Sequence, residues 1–184
     1  MAPSRLYIET TDPTVNDDSS NGYEIGNWWL NSNSNSLSQC VDDSIGDAIW
    51  SVKPTFSTGT FTPQLRFGGA NVGMTTSASN GDYTRIGDMV TFNIFIALTA
   101  KGTSTGNATV LGLPFVTGSE NTAFTFYGNR ISNSANFTVT GARLVISQDF
   151  LRLFEVGSGQ TLQNLTDASF VNTSQFFISG SYFL

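Results

Sequence analysis

The stretch Val90–Leu98, VTFNIFIAL, alternates with a period of two residues. Every even-numbered position holds a large apolar residue, and Thr, Asn, Phe and Ala stand between them. Successive side chains of a β-strand point to opposite faces, so this pattern predicts a half-buried strand. The stretch Phe176–Leu184, FFISGSYFL, repeats much of the pattern and predicts a second strand of the same kind.

Turn signals rich in Gly, Asn and Asp separate further short apolar segments. Two examples are Asn80–Asp82 and Gln148–Asp149. Further candidate strands lie at 124–127, 137–140, 144–147 and 150–156. No segment shows the 3.6-residue period of an amphipathic helix. Many short strands joined by such turns are typical of a sandwich or jelly roll, so we predict an all-β fold.

The composition changes near Val52–Thr55, which predicts a boundary between two domains. Residues 1–52 contain all three Trp, whereas residues 55–184 are rich in Phe, Thr and Gly. The first region is predicted to be a small β-hairpin module and the second a larger sandwich domain. The module is predicted to contain three strands, Tyr23–Leu30, Leu37–Val41 and Ala48–Trp50. The polar segment Asn31–Ser36 is predicted to be the turn between the first two strands.

The composition also excludes several kinds of site and partner. There is no His and a single Cys, so His-dependent catalytic triads, internal disulfides and cysteine metal clusters are excluded. Two Lys and six Arg against fourteen acidic residues give a net charge of −6, which argues against nucleic acid as a partner. No run of about 18 apolar residues is present, so we expect no membrane insertion. The N-terminus lacks the apolar run of a secretory signal, so we expect synthesis in a cytoplasm.

The N-terminal motifs resemble a small β module found in surface proteins of bacteriophages and large DNA viruses. The matching residues are GYEIGNWWLN at Gly22–Asn31, followed by Cys40 and by AIW at Ala48–Trp50. The resemblance implies that this module attaches the protein to the virion. The residues predicted to form its small core and the virion-attachment site are Tyr23, Trp28, Trp29 and Trp50.

The remainder of the chain resembles the knobs of trimeric phage tail-fibre tips and related virion proteins. Matching motifs are FGG at 67–69, GMT at 73–75, GDYTRIG at 81–87, GNA at 106–108, GLPF at 112–115 and ISGSY at 178–182. The resemblance implies a jelly-roll β-sandwich similar to tumour necrosis factor and C1q, assembled as a homotrimer.

Three Phe residues occupy the outward positions of the two alternating strands. Phe95 stands among the polar positions of the first strand, and Phe177 and Phe183 stand among those of the second. One interpretation is a second layer of packing, or ordinary exposed apolar residues. The other is an oligomer interface, and we predict that these residues contact other copies of the chain.

Catalysis without His would depend on carboxylates. The candidates in the larger domain are Asp82, Asp88, Glu120, Asp149, Glu155 and Asp167. Asp82, Asp88 and Asp149 lie in turn contexts, where Asp is favoured for its hydrogen bonds to the backbone. We therefore predict no catalytic residues. The clusters Asp17–Asp18 and Asp42–Asp47 do not match a calcium-binding loop, so we predict no metal site and no cofactor.

A carbohydrate site would need an exposed aromatic ring beside amide and hydroxyl groups. Tyr127, Asn129, Arg130 and Asn133 offer this combination in a predicted loop. They are the candidate glycan-binding residues, although an ordinary polar turn would have the same composition.

These observations together predict a non-enzymatic, homotrimeric structural protein on the virion surface, made in the host cytoplasm. The expected role is capsid decoration or cementing, with the major capsid protein or a tail protein as partner and host surface glycans as a possible ligand. One alternative is the receptor-binding tip of a tail fibre. A second alternative is a carboxylate-dependent glycan depolymerase. A third is a cellular C1q-like adhesion module, and the missing secretory signal argues against this third alternative.

Overall fold

The computed structural model describes residues 3–116, 122–144 and 150–184. Apart from two single 3-10 turns, Ser19–Asn21 and Asp167–Ser169, every regular element in these residues is a β-strand. The predicted all-β fold class is confirmed. The chain forms two compact units, the N-terminal unit Met1–Thr55 and the C-terminal unit Phe56–Leu184.

The N-terminal unit is built on a four-stranded sheet. In sheet order its strands are β1 (Leu6–Glu9), β2 (Trp28–Asn31), β3 (Ser36–Asp42) and β4 (Ile49–Lys53). The β2–β3 pair is the predicted hairpin, and it is antiparallel with Trp28 opposite Gln39. β1 pairs with β2 in parallel, a contact that four residues of sequence did not reveal.

The predicted strand Tyr23–Leu30 is wrong over its first half, because the chain is still turning there. Gly22 and Gly26 have φ values of 85° and 92°, in the left-handed region that glycine adopts without strain. The Gly26 N–H donates to the carbonyl oxygen of Cys40 at 2.9 Å, which ties this turn to β3. The strand therefore begins only at Trp28.

Aromatic rings form the core of the N-terminal unit. Tyr7, Tyr23, Trp29 and Trp50 pack with ring centroids 4.6–6.5 Å apart. Trp29 is only 5% exposed, and its indole N–H donates to the carbonyl oxygen of Thr11 at 2.7 Å. Its neighbour Trp28 points to the opposite face of the strand. The Lys53 ammonium lies 5.8 Å from the Trp28 ring centroid. Trp29, rather than Trp28, is thus the central core residue.

A buried carboxylate connects two turns of the same unit. Asp18 is 3% exposed, and it accepts hydrogen bonds from the Ser20 hydroxyl at 2.6 Å and from the Gly46 backbone N–H at 2.6 Å. These bonds favour the charged form, so the pKa of Asp18 is lowered, with the Ser20 hydroxyl as the largest cause. Asp12 and Asp42 also have lowered pKa values, because side-chain donors bond to their carboxylates.

The C-terminal unit contains ten strands in one continuous, curled sheet. In chain order they are β5 (Phe56–Phe61), β6 (Gln64–Phe67), β7 (Thr75–Ile86), β8 (Met89–Ala100), β9 (Ala108–Leu111), β10 (Thr122–Ile131), β11 (Val139–Leu144), β12 (Phe150–Val156), β13 (Gln163–Asn164) and β14 (Phe170–Phe183).

The curled sheet folds into a sandwich with two halves. The first half has the order β5-β7-β8-β14-β10 and the second has β10-β11-β12-β9-β6, with β13 paired to β12. β10 belongs to both halves: its first residues pair with β11, and residues from Thr125 onward pair with β14. The two ends of the curled sheet, β5 and β6, are joined by only two residues.

The inner faces of the two halves form one apolar core. On β8 all five predicted inward positions are at most 3% exposed, which confirms the alternation at Val90–Leu98. Leu144, Leu151 and Leu153 of the second half are completely buried in the same core. β11 and β12 pair antiparallel on either side of the predicted turn at Gln148–Asp149. The predicted strand 150–156 coincides with β12, but the strand predicted before the turn, 144–147, lies outside the described residues except for Leu144, the last residue of β11. The turn itself lies outside the described residues.

The predicted turn at Asn80–Asp82 is wrong, because these residues lie inside the long strand β7. Gly81 pairs with Ile94 on one side and with Phe61 on the other. The Phe61 ring covers Gly81, and a Cβ added there would lie 2.5 Å from the ring. This glycine leaves room for an aromatic neighbour in a straight strand, a role that the sequence does not distinguish from a turn.

Trp29→Ala is expected to destabilise the N-terminal unit by roughly 3–5 kcal/mol, because it opens a cavity in the aromatic core. The matched control Trp28→Ala removes a half-buried ring and its contact with Lys53, so it is expected to destabilise the unit clearly less than Trp29→Ala. Urea unfolding followed by tryptophan fluorescence measures both variants, since all three Trp lie in this unit. Equal destabilisation by the two substitutions would contradict the assignment of Trp29 to the core.

Acid is expected to unfold the N-terminal unit. A carboxyl with a folded pKa below its unfolded value, about 3.9 for Asp, stabilises the fold above that value. The contribution is lost as the pH falls through the lower folded pKa. Tryptophan fluorescence against pH should therefore show a transition below about pH 4. Asp18→Asn should make it shallower, whereas Asp47→Asn, at an exposed carboxylate, should leave it unchanged.

Candidate functional site

The outer face of the first half-sheet carries a row of aromatic side chains. Tyr127 of β10 stands directly opposite Phe177 of β14, which stands opposite Phe95 of β8. The Phe95 and Phe177 rings stack with their centroids 4.5 Å apart. Phe177 is 51% exposed and Tyr127 is 67% exposed. We call these three residues the aromatic row.

A second apolar row crosses the same face at one end of the strands. Phe183, Met89, Ile86 and Phe56 stand opposite one another on β14, β8, β7 and β5. All four are exposed, and Phe56 and Phe183 are the most exposed of them. We call these residues the distal row. Two apolar rows on one open sheet face are unusual for a surface that contacts only water.

Polar side chains separate the two rows. The Asn93 amide donates to the Asp82 carboxylate at 3.3 Å, and the hydroxyls of Thr91 and Ser181 lie 2.7 Å apart. The outer face therefore presents an apolar band, a polar band and a second apolar band. This arrangement resembles a protein interface with satisfied polar groups more than a catalytic cleft.

The structure brings together two of the three predicted interface residues. Phe95 and Phe177 are stacked neighbours in the aromatic row, and Phe183 lies in the distal row of the same face. Phe95 is only partly exposed, because the Phe177 ring covers it. The position of all three on one face is a result of strand register. Their contact with other copies of the chain stays a prediction.

The four candidate glycan-binding residues do not lie together in a loop. Tyr127, Asn129 and Arg130 belong to β10, which corrects the predicted loop. Arg130 has a φ of 58° at an irregularity in the strand, and its guanidinium donates to the Thr173 hydroxyl at 2.6 Å. The Asn133 amide donates to the Phe137 carbonyl oxygen within its own loop.

Tyr127 and Asn129 remain the members of that set that can act together. They are alternate residues of β10, so their side chains lie on the same outer face. Gln175 of β14 stands directly opposite Asn129, and it adds a second amide that sequence reasoning missed. An aromatic ring beside two amides has the chemistry of a carbohydrate surface.

The described carboxylates of the C-terminal unit are held in structural contacts. Glu155 is 1% exposed and accepts hydrogen bonds from the Ser134 N–H at 2.8 Å and the Gln163 amide at 2.7 Å. Burial raises the pKa of Glu155, but the bonds from Ser134 and Gln163 outweigh it and leave the pKa lowered. Asp88 lies 3.9 Å from Arg85 in an exposed ion pair.

Asp167 anchors the loop that follows β8. Its carboxylate accepts from the Gly106 N–H at 2.8 Å and lies 3.4 Å from the Lys101 ammonium. The Gly106 bond is the largest cause of the lowered pKa of Asp167. A carboxylate held in this way remains ionised, so it is poorly suited to act as a general acid. Glu120 and Asp149 lie outside the described residues.

The predicted virion-attachment residues are divided between two faces of the N-terminal sheet. Tyr23, Trp29 and Trp50 pack against one another in the aromatic core. Trp28 lies on the other face and is half-buried. Of the four residues, Trp28 is therefore the one whose removal would disturb the core least.

The part of the chain that the structure describes offers neither a cluster of metal ligands nor a membrane-spanning helix. No group of three His, Cys, Asp or Glu side chains there could hold a metal ion. No helix in residues 3–116, 122–144 or 150–184 is long and apolar enough to cross a membrane.

Comparison with known proteins gives a likeness of fold. No family model and no curated protein matches this chain. Among solved structures, it is similar to the crystal structure of the Dettilon tailspike protein (gp208), with a TM-score of 0.57 and 22% sequence identity. The match covers 69% of this chain and 23% of that chain, so this chain spans less than a quarter of the tailspike's length. At this identity the likeness shows a shared fold.

Proposed function

We propose that this chain is a structural and receptor-binding component of a bacteriophage tail. The observation that carries the proposal is the fold that it shares with part of a phage tailspike. The resemblance of its N-terminal and knob motifs to virion surface proteins supports the same assignment. In this role the chain lies on the virion surface.

The proposed assembly is a homotrimer formed through the outer face of the first half-sheet. The aromatic row and the distal row place apolar side chains across this face, and their exposure is unfavourable in a monomer. Contact with neighbouring copies would remove these side chains from water, and the polar band between them can form hydrogen bonds across the interface.

The N-terminal unit is proposed to attach the protein to the virion. It contains eight of the chain's carboxylates against Arg5 and Lys53, so it carries the whole net charge of −6. The C-terminal unit has equal numbers of acidic and basic residues. An acidic unit next to a neutral one supports separate partners for the two, with a tail protein or the major capsid protein bound by the first.

We propose that the chain binds glycans without cleaving them. Glycosidases use two carboxyl groups facing each other across the substrate. Of the four described carboxylates of the C-terminal unit, Glu155, Asp167 and Asp82 instead accept hydrogen bonds from backbone or side-chain donors, and Asp88 lies in an exposed ion pair with Arg85. A glycan depolymerase would be revealed by loss of cell-surface polysaccharide on incubation with the protein and by loss of that activity in a single carboxylate variant.

Copy number per purified particle distinguishes the tail assignment from capsid decoration. Quantitative mass spectrometry against the major shell protein is expected to give a few to a few tens of copies, because tail appendages are few per virion. Hundreds of copies would contradict a tail location and favour a decoration or cement protein. Absence from purified particles would contradict both.

For the proposed trimer we expect light scattering at micromolar concentration to give a mass of about 59 kDa, three times the 19.8 kDa of one chain. Phe177→Ser in the aromatic row and Phe56→Ser in the distal row should each lower this mass toward that of the monomer. Val72→Ser is the control, because Val72 is an exposed apolar residue in a turn away from both rows. A monomeric wild-type protein would contradict the proposed assembly.

A further inference from the structure

Three of the chain's six arginines form a row across the outer face of the second half-sheet. Arg66 of β6 and Arg152 of β12 both stand opposite Thr109 of β9, one on each side of it. Arg143 of β11 stands directly opposite Arg152. We call these three residues the arginine row. It lies on a different half of the sandwich from the aromatic row.

The arginine row is not neutralised by the described part of the chain. Like charges directly opposite each other on neighbouring strands are destabilising, and Arg143 and Arg152 are such a pair. The two ion pairs within the described residues use other cations, in Arg85 and Lys101. A pair of like charges without a carboxylate partner destabilises the sheet locally. Such locally unfavourable arrangements are typical of binding sites.

The guanidinium groups retain much of their hydrogen-bonding capacity. Arg66 donates to the Gln64 side chain at 3.1 Å and to the Gly69 carbonyl oxygen at 3.5 Å. Among the described residues, Arg143 and Arg152 have no hydrogen-bond acceptor. A guanidinium presents five donors in a planar fork that matches a carboxylate or a phosphate. The Nε atoms of Arg66 and Arg143 are buried without an acceptor. The donors that remain available to an anion are therefore those of Arg152 and the terminal nitrogens of Arg143.

A cavity of about 350 Å³ opens beside the middle of the row. Arg152 lines it, and the Phe150 ring lies 5.9 Å from the guanidinium. Leu111 and Phe150 supply apolar walls, and Asn107 and Asn164 supply amides. This volume is at the small end of the range for ligand pockets, roughly 300–1,000 Å³, and it suits one sugar residue better than a long segment of polymer.

One of the residues that line the cavity also has a buried acceptor without a partner. The Asn164 side-chain oxygen is buried and accepts no hydrogen bond from the described residues. A buried acceptor without a donor is costly, and a hydroxyl group on a ligand would satisfy it. The site thus combines free cationic donors, an unsatisfied acceptor and an apolar wall.

We propose that this cavity binds a small ligand, or one residue of a polymer, that carries a carboxylate or phosphate beside hydroxyl groups, as an acidic sugar does. The guanidinium of Arg152 binds the anionic group, with Arg143 and Arg66 adding positive potential from either side. The Asn164 oxygen accepts from a ligand hydroxyl, and the Phe150 ring packs on the apolar face of the sugar. This inference rests on the arginine row and its cavity, so it is independent of the virion assignment.

Isothermal titration of the full chain with glucuronate, glucose 6-phosphate, glucose and inorganic phosphate tests the site. At least one of the two acidic sugars is expected to bind, and the stronger one identifies the preferred anion. Glucose should bind much more weakly, because it lacks the charge. Equal binding of glucose would overturn the role of the arginines. Inorganic phosphate binding as tightly as both acidic sugars would overturn the role of the hydroxyl groups.

Arg152→Gln should weaken binding of the acidic sugar about tenfold or more, because it removes a charge-assisted pair. Arg152→Lys keeps the positive charge but lacks the planar set of guanidinium donors. It should weaken binding of the acidic sugar less than Arg152→Gln does. Asn164→Ala tests the acceptor and should weaken binding severalfold. Arg5→Gln is the control, since it removes the same charge from the other unit. Thermal melts verify folding, and unchanged binding in both folded Arg152 variants would overturn the proposal.

The acidic N-terminal unit of a second copy is the competing occupant of the arginine row. In that case light scattering would give a lower mass for Arg152→Gln than for the wild type. It would also give a lower mass for the wild type at high salt than at low salt. If the site binds a sugar instead, we expect Arg152→Gln and the wild type to have the same mass in light scattering. A lower mass together with no sugar binding would identify a contact between copies and overturn the proposal.

Discussion

The antiparallel pairing of β8 with β14 sets the two surfaces of the C-terminal unit. Nine residue pairs, from Gln175 opposite Ala97 to Phe183 opposite Met89, place the apolar alternate residues of both strands in the core. The same register places Phe95 against Phe177 on the outer face. A slip of one residue would exchange the two faces of β14, which would bury its polar residues and expose Phe176. Core and outer face therefore depend on a single register.

The two halves of the sandwich present different chemistry. The first half-sheet carries alternating apolar and polar bands, which suit contact with another protein surface. The second carries three arginines beside a small cavity with one unsatisfied amide oxygen, which suits an anionic ligand. β10 is shared by both halves, and Tyr127 lies where it pairs with β14. The proposed trimer interface and the proposed ligand site thus lie on separate faces, so the proposed trimer leaves the arginine row accessible.

The alternation at Val90–Leu98 predicted the core because burial on one face determines which residue types are tolerated there. The same reasoning could not distinguish Gly81 in a straight strand from a glycine in a turn, because the reason for that glycine is the ring of a distant Phe61. Tyr127 was identified from its residue type and lies at the end of the predicted strand 124–127, but the continuation of that strand through Asn129 and Arg130 was missed. The arginine row was not predicted at all, since Arg66, Arg143 and Arg152 become neighbours only through strand register. Local pattern predicts periodicity, whereas cross-strand neighbours require the topology.

The position of β14 in the chain has a consequence for how the protein is made. β14 lies in the middle of the first half-sheet, yet it follows β8 by about seventy residues, and all the other strands of the unit are synthesised before it. Until β14 emerges from the ribosome, β8 lacks a neighbour on one side and the apolar faces of both halves cannot close. The growing chain must keep an incomplete core in water during that interval, when association with other nascent chains competes with folding. Completion of the unit is therefore a late, cooperative event, and the outer face of the first half-sheet, to which β14 contributes Phe177 and Phe183, forms only at its end.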